Sequence, residues 1–426
     1  MLATVRDLGF SGVMLPCPER RGVATLDPSK LSERMRGPGT TGLLIATGSF
    51  RSAQNMAQTT LSLLGMSLGF SGAAIGAVAA GTNLIAVLTM LLFTAHLATS
   101  SAQRAVFMGL LFMTASLASF LAPSPIMLLV GSLFLGIAGG LVLPSAATAI
   151  GDLASSGGER SRAARGRALA MLALVLSISL ALGPLCESLV LSATHERLQA
   201  AYLAFLPVTL IGAVVTPARR RTTMAEPGAS GSFWESMASL GSLFRNRKWN
   251  LAVCGQAIYM VPFALVIVFA GLLGSSEYHA SASTTEVGIA LFFIVSFLCR
   301  MALTRRPAVG HRVELFALCV VATLCGIALL ALGRSTGLFM VALAVLGAPH
   351  GLTYPLALGL VSDAVPIDEL SRANAAFQAV SNLINVAVPF VFGLIIDRFG
   401  DRAVVLCAAV PVVPLAALLW LLRDAG

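Results

Sequence analysis

Twelve apolar stretches, broken by short polar or Gly- and Pro-containing intervals, run along the chain at about 42–64, 72–95, 104–122, 125–150, 168–191, 199–216, 250–273, 285–304, 313–332, 337–361, 372–395 and 402–422. Most reach the roughly twenty residues that cross a bilayer as a helix, and none alternates in ten-residue units as barrel strands do. The pattern therefore predicts an all-α integral membrane protein with twelve transmembrane helices. The widest polar interval divides the spans six and six.

The halves carry the same internal signature. LGIAGGLVLPSAATAIGD at 135–152 and LGAPHGLTYPLALGLVSD at 346–363 agree without a gap at Leu135/Leu346, Gly136/Gly347, Gly140/Gly351, Leu141/Leu352, Pro144/Pro355, Ala146/Ala357 and Asp152/Asp363. Arg167-Ala168-Leu169-Ala170 and Arg372-Ala373-Asn374-Ala375 follow, and thirteen residues separate the second alanine from Pro184 and from Pro389. Such agreement predicts a duplication and two pseudo-symmetric six-helix bundles. The expected organisation is an N-terminal tail (1–40), a first bundle (41–216), a central loop (217–249) and a second bundle (250–426). Within the loop, Phe233, Met237, Leu240 and Phe244 fall at helical spacing, as in a short helix lying on a membrane surface. The first 40 residues lack the apolar core of a signal peptide, and Met35 stands just before the first span. Part of this tail is accordingly read as a candidate extension, and mass spectrometry of the native N-terminus decides whether residues 1–34 are present.

Composition agrees with the pattern: 57% of the 426 residues are apolar and 11% charged, against about a quarter charged in soluble proteins. The net charge of +9 does not indicate a nucleic-acid partner, because its distribution follows topology. Arg197, Arg334, Arg398 and Arg402 are the only cations expected on the far side, Arg51 lies within a span, and the rest of the 28 lie on the side of the N-terminus. The positive-inside rule then places both termini in the cytoplasm of a plasma-membrane protein. Six of the seven cysteines fall in or beside spans and read as packing residues, with no CxxC pair and no metal site expected.

Polar residues within spans carry the chemistry. Arg51, Asn55 and Gln58, with Gln54 beside them, project from one face of the first span, the least apolar of the twelve. A guanidinium facing lipid costs about 2.5 kcal/mol or more, so this face must meet protein or water. Arg51 is read as the only cation near the midplane, while Arg300 is expected to snorkel to the cytoplasm. In the seventh span Gln256 and Tyr259 share a face with Met260 and Phe263; in the tenth, His350 and Tyr354 share one with Gly347 and Gly351, where the repeat has Gly139 and Leu143. Asn374, Gln378, Asn382 and Asn385 make a stripe along the eleventh span, read equally as lumen lining or as interhelical bonding. The expected substrate-binding set is Arg51, Gln54, Asn55, Gln58, Gln256, Tyr259, His350, Tyr354, Gln378 and Asn382. His350 and Glu187 are the candidate proton carriers, although Glu187, close to its span's outer end, reads equally as a solvated or locally paired carboxylate.

Twelve spans in two repeated halves, with a long central loop and both ends inside, resemble the major facilitator superfamily over about residues 41–422. AHLATSSAQR at 95–104 aligns with that family's GxLADRxGRR loop, but Thr99 and Ser100 replace its charges; Ser132 stands four residues before Gly136 in place of an arginine; and of GxxxGPxxGG only Gly183-Pro184 remains, with Ser179, Glu187 and Ser188 at other glycine places. The resemblance implies secondary transport by alternating access around a cavity lined by the first, fourth, seventh and tenth spans. The expectation is a non-enzymatic, cofactor-free monomer that moves a small organic anion or metabolite, coupled to protons. A proton-driven drug exporter and a non-transporting membrane sensor of the same fold are the alternatives, and the broken antiporter motif opposes the first.

Overall fold

In a computed structural model of the chain, residues 38–97, 102–154, 158–216, 243–305, 311–366 and 369–422 are described, and every element among them is a helix. The first span is two helices, α1 (Pro38–Thr59) and α2 (Leu61–Ser67). The other five spans of the first half are α3 (Gly72–Leu97), α4 (Ala102–Phe120), α5 (Pro125–Ala154), α6 (Gly158–Ala193) and α7 (Leu198–Val215). The second half comprises α8 (Arg247–Tyr278), α9 (Ala282–Arg305), α10 (Arg312–Leu332), α11 (Thr336–Ala364), α12 (Leu370–Phe399) and a final span broken into α13 (Asp401–Ala409) and α14 (Val412–Leu422). Eleven of the spans are long and apolar enough to cross a membrane by themselves. The first span falls short, because Arg51, Gln54, Asn55 and Gln58 interrupt it. Large apolar side chains such as Leu332 and Val214, both 82% exposed, cover the outer surface, where lipid takes the place of water.

Several boundaries differ from the sequence-based expectation. The segment GERSRAARGR, expected as a basic loop, begins α6, since its Ala and Arg residues favour helix. The central loop was expected to reach 249, but α8 starts at Arg247, with Asn246 as its N-cap accepting from the amide of Trp249 at 3.1 Å. The expected tail up to residue 37, the loop stretch 98–101 and the surface helix up to residue 242 lie outside the described residues. Phe244, the last member of that apolar set, meets Trp249 edge-on.

The repeated glycines set the packing. A Cβ on Gly136 or Gly140 of α5 would overlap the carbonyls of Thr82 and Ala86 on α3; one on Gly347 or Gly351 of α11 would overlap those of Phe292 and Ser296 on α9. In each half the shared glycines thus bring the fourth span backbone-to-backbone against the second. The shared terminal aspartate of the second copy, Asp363, pairs with Arg312 at the start of α10.

The halves meet through α3 with α12 and through α6 with α9, two contacts related by the duplication. We call the face bearing Pro38 the near face and the opposite one the far face. The far face is closed by cross-half bonds. Asp397 of α12 accepts from the amide of Ala73 at 3.0 Å and Glu196 accepts from the amide of Ser283 at 2.8 Å, while deeper, midway along α3 and α12, Asn83 donates to the carbonyl of Asn385 at 2.8 Å. Glu196 and its neighbour His195 sit in left-handed backbone, in the tight turn that directs the carboxylate across to α9.

Candidate functional site

Within the second half, midway along its helices and beside Ser177 of α6, lies a cavity of about 120 Å3 lined by Gln256, Tyr259, Met260, Phe263, Arg300, His350, Thr353 and Tyr354. Helix α8 contributes the first four and α11 the last three, and each helix carries interior prolines (Pro262 in α8, Pro349 and Pro355 in α11). His350 is held from all sides. Its Nδ1 lies 2.7 Å from the Ser296 hydroxyl, its ring stacks on Phe263 at 4.7 Å, and Phe292, Phe293 and Tyr259 surround it at 5.1, 5.5 and 5.5 Å. The Tyr259 hydroxyl and the Gln256 carbonyl oxygen are buried without a protein partner, two polar atoms free to bind a guest.

Arg300 corrects the sequence reading. Instead of reaching the cytoplasm, it turns into this cavity, donating to the Ser177 hydroxyl of α6 at 3.2 Å and to the His350 carbonyl at 3.4 Å. Helix α9 continues to Arg305, so Arg300 lies more than a turn inside its end and cannot snorkel as a terminal residue would. Arg51 is therefore not the only midplane cation. It comes from the other half, its Nη1 2.6 Å from Gln54 Oε1, and stands close enough to Arg300 and His350 for their charges to interact. Among the described residues, no carboxylate lies within ion-pair distance of either guanidinium.

The remaining expected residues divide. Gln54 is not among the lining residues; its amide fills the space left by Gly139, the repeat partner of His350. Tyr354, 38% exposed, lines the cavity and approaches Phe377 at 6.3 Å. Gln58 is half-buried on α1. Gln378 donates to Asn382 at 3.3 Å along α12; neither is among the lining residues of the cavity. Asn55 is not available to substrate: only 1% exposed, it donates to the Leu180 carbonyl at 2.7 Å. Pro184, four residues on, has no N–H for that carbonyl, so Asn55 supplies the missing donor. Glu187 is not in the cavity either. It is fully buried nearer the far face, beside Glu286 of α9, a residue that the sequence reading passed over at the edge of an apolar stretch.

The likeness to known proteins follows the same lines. The family model of the Major Facilitator Superfamily matches residues 43–335 and 275–426. No curated protein matches the chain. Among solved structures, a bacterial homologue of the human lysosomal transporter Spinster, inward-facing and unoccupied, superposes with a TM-score of 0.71 at 15% identity, covering 94% of this chain and 98% of that one. A variant of the nucleoside transporter NupG gives 0.75 at 16% identity, with 90% and 99% covered. A POT family transporter in complex with 5-aminolevulinic acid gives 0.69 at 10% identity, with 92% and 97% covered. At such identities these structures speak for the fold alone, while the family match spans nearly the whole described chain. The protein belongs to the Major Facilitator Superfamily and is a multi-pass membrane transporter, not an enzyme.

Proposed function

We propose that the protein is a secondary active transporter of a small organic anion, coupled to protons and working by alternating access between its two halves. The observation that carries this reading is the pair Arg51 and Arg300. Arg300 lines the cavity, Arg51 of the other half stands near it outside the lining, and among the described residues neither has a carboxylate within ion-pair distance. Burying uncompensated like charges is costly, and an anionic guest held between them removes that cost while drawing the halves together. Tyr259 and Gln256 offer further polar atoms to the guest, and the aromatic wall around His350 excludes water.

The positive-inside distribution supports cytoplasmic termini in a plasma membrane, and then the near face is the cytoplasmic one. One chain contains both halves and the whole site, so a monomer suffices.

A thermal-shift series on the purified protein tests the substrate class, with lactate, succinate and citrate set against glycerol, glucose and choline. Stabilisation by the carboxylates alone, lost in Arg51→Ala and in Arg300→Ala, is the expected result. Stabilisation by the neutral or cationic compounds and not by the carboxylates would remove the anion assignment.

A further inference from the structure

Two carboxyl groups meet in the membrane interior on the far side of the substrate cavity. Glu187 of α6 and Glu286 of α9 are each 0% exposed, come from opposite halves, and lie within interaction distance of each other. Thr59 of α1 donates to Glu286 Oε2 at 3.1 Å. Thr60, just before α2, and Tyr202 of α7 complete the cluster. Both oxygens of Glu187, Oε1 of Glu286 and the Tyr202 hydroxyl are buried without a hydrogen-bond partner. Tyr202 is the further titratable group facing the pair, and among the described residues no Lys, Arg or His forms an ion pair with either carboxyl.

Such an arrangement has two very different states. With one proton or more, one carboxyl can donate to the other across the seam between the halves, which uses the unpartnered oxygens. With none, two like charges stand side by side in a medium of low dielectric, and the contact becomes repulsive. We propose that Glu187 and Glu286 are the proton-binding site of the transporter and act as a latch: a shared proton holds the far face closed, and loss of the last proton parts α6 from α9 and opens that face. The inference rests on the reading of alternating access, but it assigns proton binding to this pair and not to His350, which is committed to Ser296 and its ring neighbours. Nothing in it depends on the charge of the substrate.

The experiment is a distance measurement across the far face of the full-length protein in liposomes without substrate. Genetically encoded spin labels replace the exposed residues Ser192, at the far end of α6, and Arg334, between α10 and α11. Distances are recorded from pH 6 to pH 9. In the otherwise wild-type protein the longer distance is expected to gain population as pH rises. In Glu187→Gln/Glu286→Gln, which keeps the shape and can hydrogen-bond but cannot ionise, that pH response is expected to be lost; each single Gln variant, lacking the like-charged neighbour, should lose it too. Size exclusion and thermal stability show that the variants are folded. A double variant that responds to pH as the parent does, or a folded parent whose distances ignore pH, overturns the latch. Failure of anion stabilisation at Arg51 and Arg300 would overturn the substrate assignment and leave this result standing.

Discussion

The carboxylate of Asp397 accepts a hydrogen bond from the backbone amide of Ala73 at 3.0 Å, across the boundary between the halves. Ala73 is in the first turn of α3, and Ser283, held in the same way by Glu196, is in the first turn of α9. Each half therefore caps a helix N-terminus of the other, where free amides and the helix dipole favour an anion. Asp397→Asn and Glu196→Gln should each weaken far-face closure by about 1 kcal/mol, with near-additive effects because the two caps share no partner. Accessibility of a far-face cysteine label measures the change, and unchanged accessibility in the double variant would count against the caps.

Two asparagines serve prolines that the duplication placed in matching positions. Asn55 donates to Leu180, four residues before Pro184, and Asn83 donates to Asn385, four before Pro389. The first bond stays within a half and the second crosses the seam. Asn55→Leu should therefore lower the thermal stability in detergent by about 1–3 kcal/mol without altering closure. Asn83→Leu should lower stability and also favour the open far face.

The guanidiniums should act as a pair. Arg300→Ala and Arg51→Ala each remove a charge-assisted contact worth about 1.5–3 kcal/mol, or about tenfold to a hundredfold in the affinity for carboxylates. Arg300→Lys keeps the charge but loses the planar fork that reaches both Ser177 and His350, so it should recover only part of the binding. Calorimetric titration with succinate distinguishes these levels.

His350→Ala empties the space between Phe263, Phe292 and Tyr259 and frees the Ser296 hydroxyl. Uptake into liposomes should be lost while the folded yield is retained. Full uptake by this variant would take His350 out of the site.

Gly76 of α3 has the Pro389 carbonyl where its Cβ would stand, and Gly393 of α12 faces the Gly72 carbonyl in the same way. Gly76→Ala must push α3 from α12, at a cost of about 1–3 kcal/mol for the closed form. The variant should show greater labelling of far-face cysteines than the parent.

The spans and their division into halves were legible from hydropathy and from the repeat, since both depend on long apolar runs and on glycines whose packing role is the same in both copies. The site was only partly legible. Gln54, Tyr259 and His350 could be found because polar residues deep in a span need a reason. Arg300 was expected at the cytoplasmic face and Glu286 was passed over because each lies near the end of an apolar run, where one turn decides between interface and interior and hydropathy does not resolve the turn. Asn55 misled for a different cause: a polar residue on the right face can be used up by a carbonyl that a proline on another helix has released, and only the packing of α1 on α6 reveals the pairing.

The polarity of the first span also bears on how the protein is made. A segment that holds Arg51, Gln54, Asn55 and Gln58 partitions poorly into lipid as it leaves the insertion machinery. Arg51 bonds Gln54 within the same helix, whereas Asn55 and Gln54 meet α6 and α5, which are synthesised later. The first helix therefore gains its outside polar partners only after α5 and α6 have been made, so its settled place in the bundle is tied to completion of the first half.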